Sequence, residues 1–284
     1  MKRLRTRLAA ILLCTLAPGC SESRSTTGPP IVAVSVLPLE YVVDQLAGDL
    51  VETVVMLPPG ASPTQYQPTL GQVRAFSDAT IYVKVGHPNF PFEAAWLDRL
   101  LGSASDVTVV DASSGLTDLA GDPHLWLAPK LVASIASEVA AALAAQLPAH
   151  EAEVTQNLAR FHQQIAALDL EIRQQLDPVV ASGRRAFVVQ HPAWGHFAAA
   201  YGLEQVAVEE DHHEPDPHAL SQRIDWAREH EVRVVFVQPQ LDPTPAETLA
   251  REIGARVVSL DPLAYDWAAN LRAVALAIRE GLIR

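Results

Sequence analysis

The stretch from Ala149 to Leu176 constrains the fold more than any other. Its apolar residues fall at Val154, Leu158, Phe161, Ile165, Leu168, Ile172 and Leu176, spaced three or four apart, with no glycine or proline between them. That spacing predicts one amphipathic helix, about 40 Å long at 1.5 Å per residue and bounded by Pro148 and Pro178. On each side lies a series of short β-branched runs alternating with helical segments. The first holds strand-like Ile31–Leu37, Val51–Leu57, Thr80–Val85 and Val107–Val110. The second holds Ala186–Val189, Leu203–Val208, Val232–Val237 and Arg256–Leu260. Such alternation predicts α/β architecture: two parallel-sheet lobes joined by one long rigid helix. The expected lobes are residues 31–147 and 179–284, with 148–178 as the link.

The first thirty residues are of another kind. Lys2, Arg3, Arg5 and Arg7 precede the apolar run Leu8–Leu16 and the segment Ala17-Pro18-Gly19-Cys20. This is the order of a secretory signal, too short to span a bilayer, and Cys20 stands where a lipoprotein would be cleaved and acylated. Residues 21–30 read as a polar tether. With Cys14 inside the signal and Cys20 at its end, the folded region contains no cysteine, which excludes disulfides and thiolate ligands. The formal charge of −12 becomes about −16 once the four basic residues of the signal are removed. So acidic a surface excludes nucleic acid as a natural partner and suits a cation.

Metal-capable side chains recur beside prolines, where the backbone is restricted. His124 lies in Asp-Pro-His-Leu-Trp-Leu at 122–127, His191 in Gln-His-Pro-Ala-Trp-Gly at 190–195, and Asp261 in Leu-Asp-Pro-Leu at 260–263. His87 follows Gly86 at the end of the third strand-like run. All four sit beyond carboxyl ends of predicted strands, where open α/β sheets bind ligands, two from each lobe. A shared metal site in the interlobe cleft is therefore expected. A second acidic and histidine-rich group, Glu210, His212, His213 and His218, clusters around Pro215 and Pro217 and could cap the site, gather metal near its mouth or stay solvated. His196 reads as support for His191; His150, His162 and His230 read as helix-surface residues; Trp126, Trp194 and Trp267 read as cleft walls.

From about Ile31 onward the chain resembles the metal-receptor group of ABC transporter solute-binding proteins. The carrying motifs are Leu57-Pro-Pro-Gly-Ala-Ser-Pro63, Asp122-Pro-His-Leu-Trp126, His191-Pro-Ala-Trp-Gly-His196 with Tyr201-Gly202, Phe236-Val-Gln-Pro-Gln240, and Asp261-Pro-Leu with Asp266-Trp267. The resemblance implies a four-ligand site in which His124, His191 and Asp261 take the second, third and fourth places. The first departs: Thr64 stands after Ser62-Pro63 where the family has histidine. His87 is the expected compensator, with water or a residue of the 209–218 loop as the other options.

The resemblance also implies a function: capture of an ion between two lobes, then delivery to a membrane permease by a monomeric, lipid-anchored receptor. Imidazole donors favour Zn²⁺, with Mn²⁺ or Fe²⁺ second. A secreted zinc hydrolase and a receptor for a chelated metal are the competing readings. Against catalysis, the chain has no His-Glu-x-x-His helix and no glutamate within a few residues of His124 or His191. Because an imidazole must shed its proton to bind metal, zinc affinity is expected to fall below about pH 6, which competitive titration across that pH would show.

Overall fold

The computed structural model describes residues 28–104, 106–117, 121–209 and 216–283. The expected signal with Cys20, most of the tether, and Glu210, His212 and His213 lie outside the described residues.

The N-terminal lobe carries strands β1 (Ile31–Val34), β2 (Glu52–Val55), β3 (Ala79–Lys84) and β4 (Thr108–Asp111). Helices α1 (Leu37–Ala47), α2 (Leu70–Ser77), α3 (Pro91–Leu101) and α4 (Pro129–Gln146) connect and cover them. Helix α5 (Glu151–Ala181) follows. The C-terminal lobe carries β5 (Ala186–Val189), α6 (Gly195–Tyr201), β6 (Glu204–Ala207), α7 (Pro217–Glu229), β7 (Val234–Val237), α8 (Thr244–Ile253), β8 (Arg256–Ser259) and α9 (Trp267–Ile283). The strand orders are β2-β1-β3-β4 and β6-β5-β7-β8, each parallel throughout. The two lobes thus repeat one topology, with the expected α/β class and a long helix between them.

Helix α5 is 31 residues long, about 46 Å. The predicted stripe is its packed face: Val154, Phe161, Ile165, Leu168, Ile172, Leu176 and Val179 are buried, and Leu158 packs at the margin. These side chains meet α1, α4 and α9, so one helix serves the cores of both lobes. Its C-terminal bound differs from expectation, because Pro178 lies within the helix rather than ending it. A proline so near the end forfeits one backbone bond. Burial of Val179, with the Ser182 amide donating to the Pro178 and Val179 carbonyls, carries the last turn onward.

Two further differences have local causes. Helix α2 has no counterpart in the sequence pattern, because eight residues starting Leu-Gly show little periodicity. Its signal is a capping box: the Gln72 amide donates to Thr69 Oγ1 at 3.2 Å while the Thr69 amide donates to Gln72 Oε1 at 3.0 Å. His162 is not a solvated surface residue. Its Nε2 donates to the Ala133 carbonyl at 3.0 Å and so ties α5 to α4.

The turn after β3 is held from below. Glu93, buried in the first turn of α3, accepts from the amides of Val85 at 2.6 Å and Gly86 at 2.9 Å, and from Ser35 Oγ at 2.5 Å. Burial raises the Glu93 carboxyl above its ordinary value, although those bonds and Lys84 favour the charged form. Gly86 turns with φ +79°, and a Cβ there would lie 1.7 Å from Asp111 Oδ1. Gly86→Ala is therefore expected to cost about 2–3 kcal/mol, lowering the Tm by roughly 5–10 °C in thermal unfolding followed by circular dichroism.

Candidate metal centre

His191 reaches the interface because the parallel register aims it there. Strand β5 pairs with β6 so that Val189 faces Ala207. Two residues past each partner lie His191 and Glu209, and His191 Nδ1 donates to Glu209 Oε2 at 2.6 Å. The Glu209 amide also donates to the Gln190 carbonyl at 3.0 Å, which extends the ladder to this point. Glu209 escapes sequence reasoning because it stands 18 residues from His191; only the strand pairing makes them neighbours.

His124 is set by its own short turn. Asp122 Oδ1 accepts from the His124 amide at 2.9 Å and from its ring Nδ1 at 2.7 Å. Burial works to raise the Asp122 carboxyl. Hydrogen bonds from His124, with the nearby charges of His124 and His196, outweigh that and hold it below the ordinary carboxylate range. His196, from the first turn of α6, donates from Nε2 to the Asp122 carbonyl oxygen at 2.9 Å, supporting the first-named histidine turn rather than His191. The lobes approach so closely here that a Cβ on Gly195 would lie 2.6 Å from Asp122 Oδ2.

The two imidazoles therefore meet across the lobe interface, edge to face, with centroids 5.4 Å apart. In both, a carboxylate accepts a hydrogen bond from Nδ1–H, which fixes the tautomer with its lone pair on Nε2. The cavity beside them is walled by Ser62, Thr64, Asn89 and Phe90 from one lobe and by Glu209, Gln238 and Leu241 from the other. Thr64 lies where the family's first ligand was expected, its hydroxyl 2.9 Å from Ser62 Oγ.

The other two candidates stand back from this cavity. Asp261 Oδ1 accepts from Gln240 Nε2 at 2.7 Å and from the Leu263 amide at 2.9 Å, while its neighbours Pro262 and Leu263 line the wall. His87 is buried at 6% exposure, and its Nδ1 accepts from the Asn89 amide at 3.1 Å. Among the described residues no three His, Asp or Glu side chains are gathered closely enough to hold a metal ion. Of the predicted aromatic walls, Trp126 lines the cavity, whereas Trp194 and Trp267 are buried in the core. His218 is exposed beside Gln222 at the start of α7, and His230 stacks on Trp226 at 4.1 Å.

Two α/β lobes are braced by a long helix, and a carboxylate-backed imidazole from each meets the other at their interface. The chain belongs to the family described as zinc-uptake complex component A, periplasmic, whose model matches residues 32–281. It is similar to the zinc-binding lipoprotein AdcA of Streptococcus pneumoniae, 24% identical over 93% of this chain and 56% of that protein. The chain thus spans about half the length of that relative. It is also similar to the high-affinity zinc uptake system protein ZnuA of Bacillus subtilis, 25% identical over 90% of this chain and 86% of that protein. A crystal structure of ZnuA superposes with a TM-score of 0.84 at 36% identity, covering 89% of this chain and 99% of the other.

His87 carries a pH signature of its own. Burial pushes its imidazole below the ordinary value, the Asp122 charge opposes that, and His196 adds to it. A depressed histidine contributes stability that is present above its unfolded value near 6.5 and is lost as pH falls through that region. His87→Gln is expected to shrink the fall in Tm of metal-free protein between pH 7.5 and 5.5; an unchanged fall would contradict this.

Proposed function

We propose that this chain is the extracytoplasmic solute-binding component of an ABC importer, which captures Zn²⁺ between its lobes and presents it to a membrane permease. The observation that carries the reading is the pair of carboxylate–imidazole couples, Asp122–His124 and Glu209–His191, facing each other from opposite lobes. A carboxylate on Nδ1 fixes the tautomer, aims Nε2 and makes it a better donor. Two aimed imidazoles favour Zn²⁺ over Mn²⁺ or Fe²⁺, which take more oxygen.

In this proposal His124 and His191 bind through Nε2. Asp261 adds an oxygen: both side-chain bonds described for it fall on Oδ1, so Oδ2 is the atom it offers. His87 is the proposed fourth ligand, and it must give up the Asn89 amide to serve, so its loss costs less than that of the other two histidines. Export, acylation at Cys20 and a monomeric state belong to the same reading. Glu209 is engaged by His191, which makes it an orienting group rather than the general base a zinc hydrolase would need.

Elemental analysis and competitive zinc titration test this reading. One zinc per chain is expected, and its absence would sink the proposal. His124→Ala and His191→Ala are expected to weaken zinc by at least tenfold, and Asp122→Asn and Glu209→Gln by roughly 10–100-fold. Thr64→His is expected to tighten binding by restoring a nitrogen donor to the cavity wall.

A further inference from the structure

The turn that bears His124 belongs by sequence to the N-terminal lobe, yet it is fastened to the other one. Trp126 Nε1 donates to the Pro262 carbonyl at 2.6 Å, and Trp267 Nε1 donates to the Trp126 carbonyl at 2.6 Å. Both indoles are almost fully buried, at 1% and 2% exposure. Pro262 directly follows Asp261, and Trp126 lies two residues beyond His124. The indole also stands edge-on to the His124 ring, with centroids 5.4 Å apart, and against Phe90. The Asp261 turn is pinned from its far side as well, since Asn270 Nδ2 donates to the Asp261 carbonyl at 2.8 Å.

We propose that Trp126 is a positioning residue: its indole N–H, bonded across the lobe interface to Pro262, holds the His124 turn at a fixed offset from the Asp261 turn. This rests on the metal-receptor reading above, to which it adds the element that sets the spacing between ligands of the two lobes. Donors on separate lobes bind an ion tightly only if their separation is set beforehand; otherwise binding must supply the ordering. A buried N–H to C=O bond suits this role. Water is excluded from it, and breaking it leaves both a donor and an acceptor without a partner. Trp267, bonded to the carbonyl of the same residue, locks the backbone from which the indole projects. The site is then assembled before the ion arrives, and release requires this clasp to shift.

Trp126→Phe tests the proposal, because it keeps a buried ring and deletes the N–H. Full-length, metal-free protein is titrated with Zn²⁺ against a chelating competitor, zinc release is timed by stopped flow, and the Co²⁺-substituted optical spectrum is recorded. Trp126→Phe is expected to weaken zinc by about tenfold or more, chiefly through faster release, and to alter the Co²⁺ bands. Leu143→Ala, a cavity in α4 away from the cleft, serves as the stability control and is expected to lower the Tm with zinc affinity and Co²⁺ bands unchanged. Should Trp126→Phe fail to fold, Trp267→Phe removes the second bond and is expected to act in the same direction. Wild-type affinity and Co²⁺ bands in the folded indole variant would overturn the positioning role alone, as would an equal affinity loss in Leu143→Ala. A wild-type protein that binds no zinc would overturn the receptor reading and this inference together.

Discussion

One helix carries the mechanical consequence of the whole fold. The packed face of α5 is shared by α1 and α4 on one side and α9 on the other, so neither lobe has a complete core without it. Burying a large apolar side chain stabilises by about 1.5–3 kcal/mol. Val154, Phe161, Ile165, Leu168, Ile172, Leu176 and Val179 therefore bind the helix to both lobes far more strongly than a flexible linker could. A bending motion at the connection would have to break this packing. The lobes consequently meet at a nearly set angle, and His124 and His191 face one another across their interface.

The contacts across the interface are polar and directional where the core is apolar. His196 holds the Asp122 carbonyl, Tyr265 holds Asp44 at 2.7 Å, and Trp126 holds Pro262. The Trp126 bond pairs groups that burial would otherwise leave unsatisfied, so the interface has a preferred register. Gly195 permits the approach, since any side chain there would strike Asp122. Precision at the interface is what a small cation requires, because coordination distances tolerate only tenths of an ångström.

The chemistry of the site follows from its environment more than from its residue list. A histidine is an ordinary residue until its tautomer and direction are set, and here carboxylates on Nδ1 set both. Thr64 and Ser62 put hydroxyls, 2.9 Å apart, where the family resemblance calls for an imidazole. Membership of the zinc-uptake family agrees with this chemistry, while the substitution at Thr64 marks where this chain departs from the family pattern.

The sequence alone determined the periodic features. Residue spacing specified α5, the alternation of strands and helices, and the proline-flanked turns bearing His124, His191 and Asp261, because those signals are local and repeat along the chain. It missed α2, which announces itself only through a cap, and it ended α5 at Pro178, where tertiary packing outweighed one lost hydrogen bond. Folding alone settled the pairing of His191 with Glu209, the crossing of Trp126 to Pro262 and the burial of His87 with its Nδ1 on the Asn89 amide. Those relations depend on strand register and lobe placement. They join residues far apart in the chain, and no local pattern encodes which distant atoms will share a hydrogen bond.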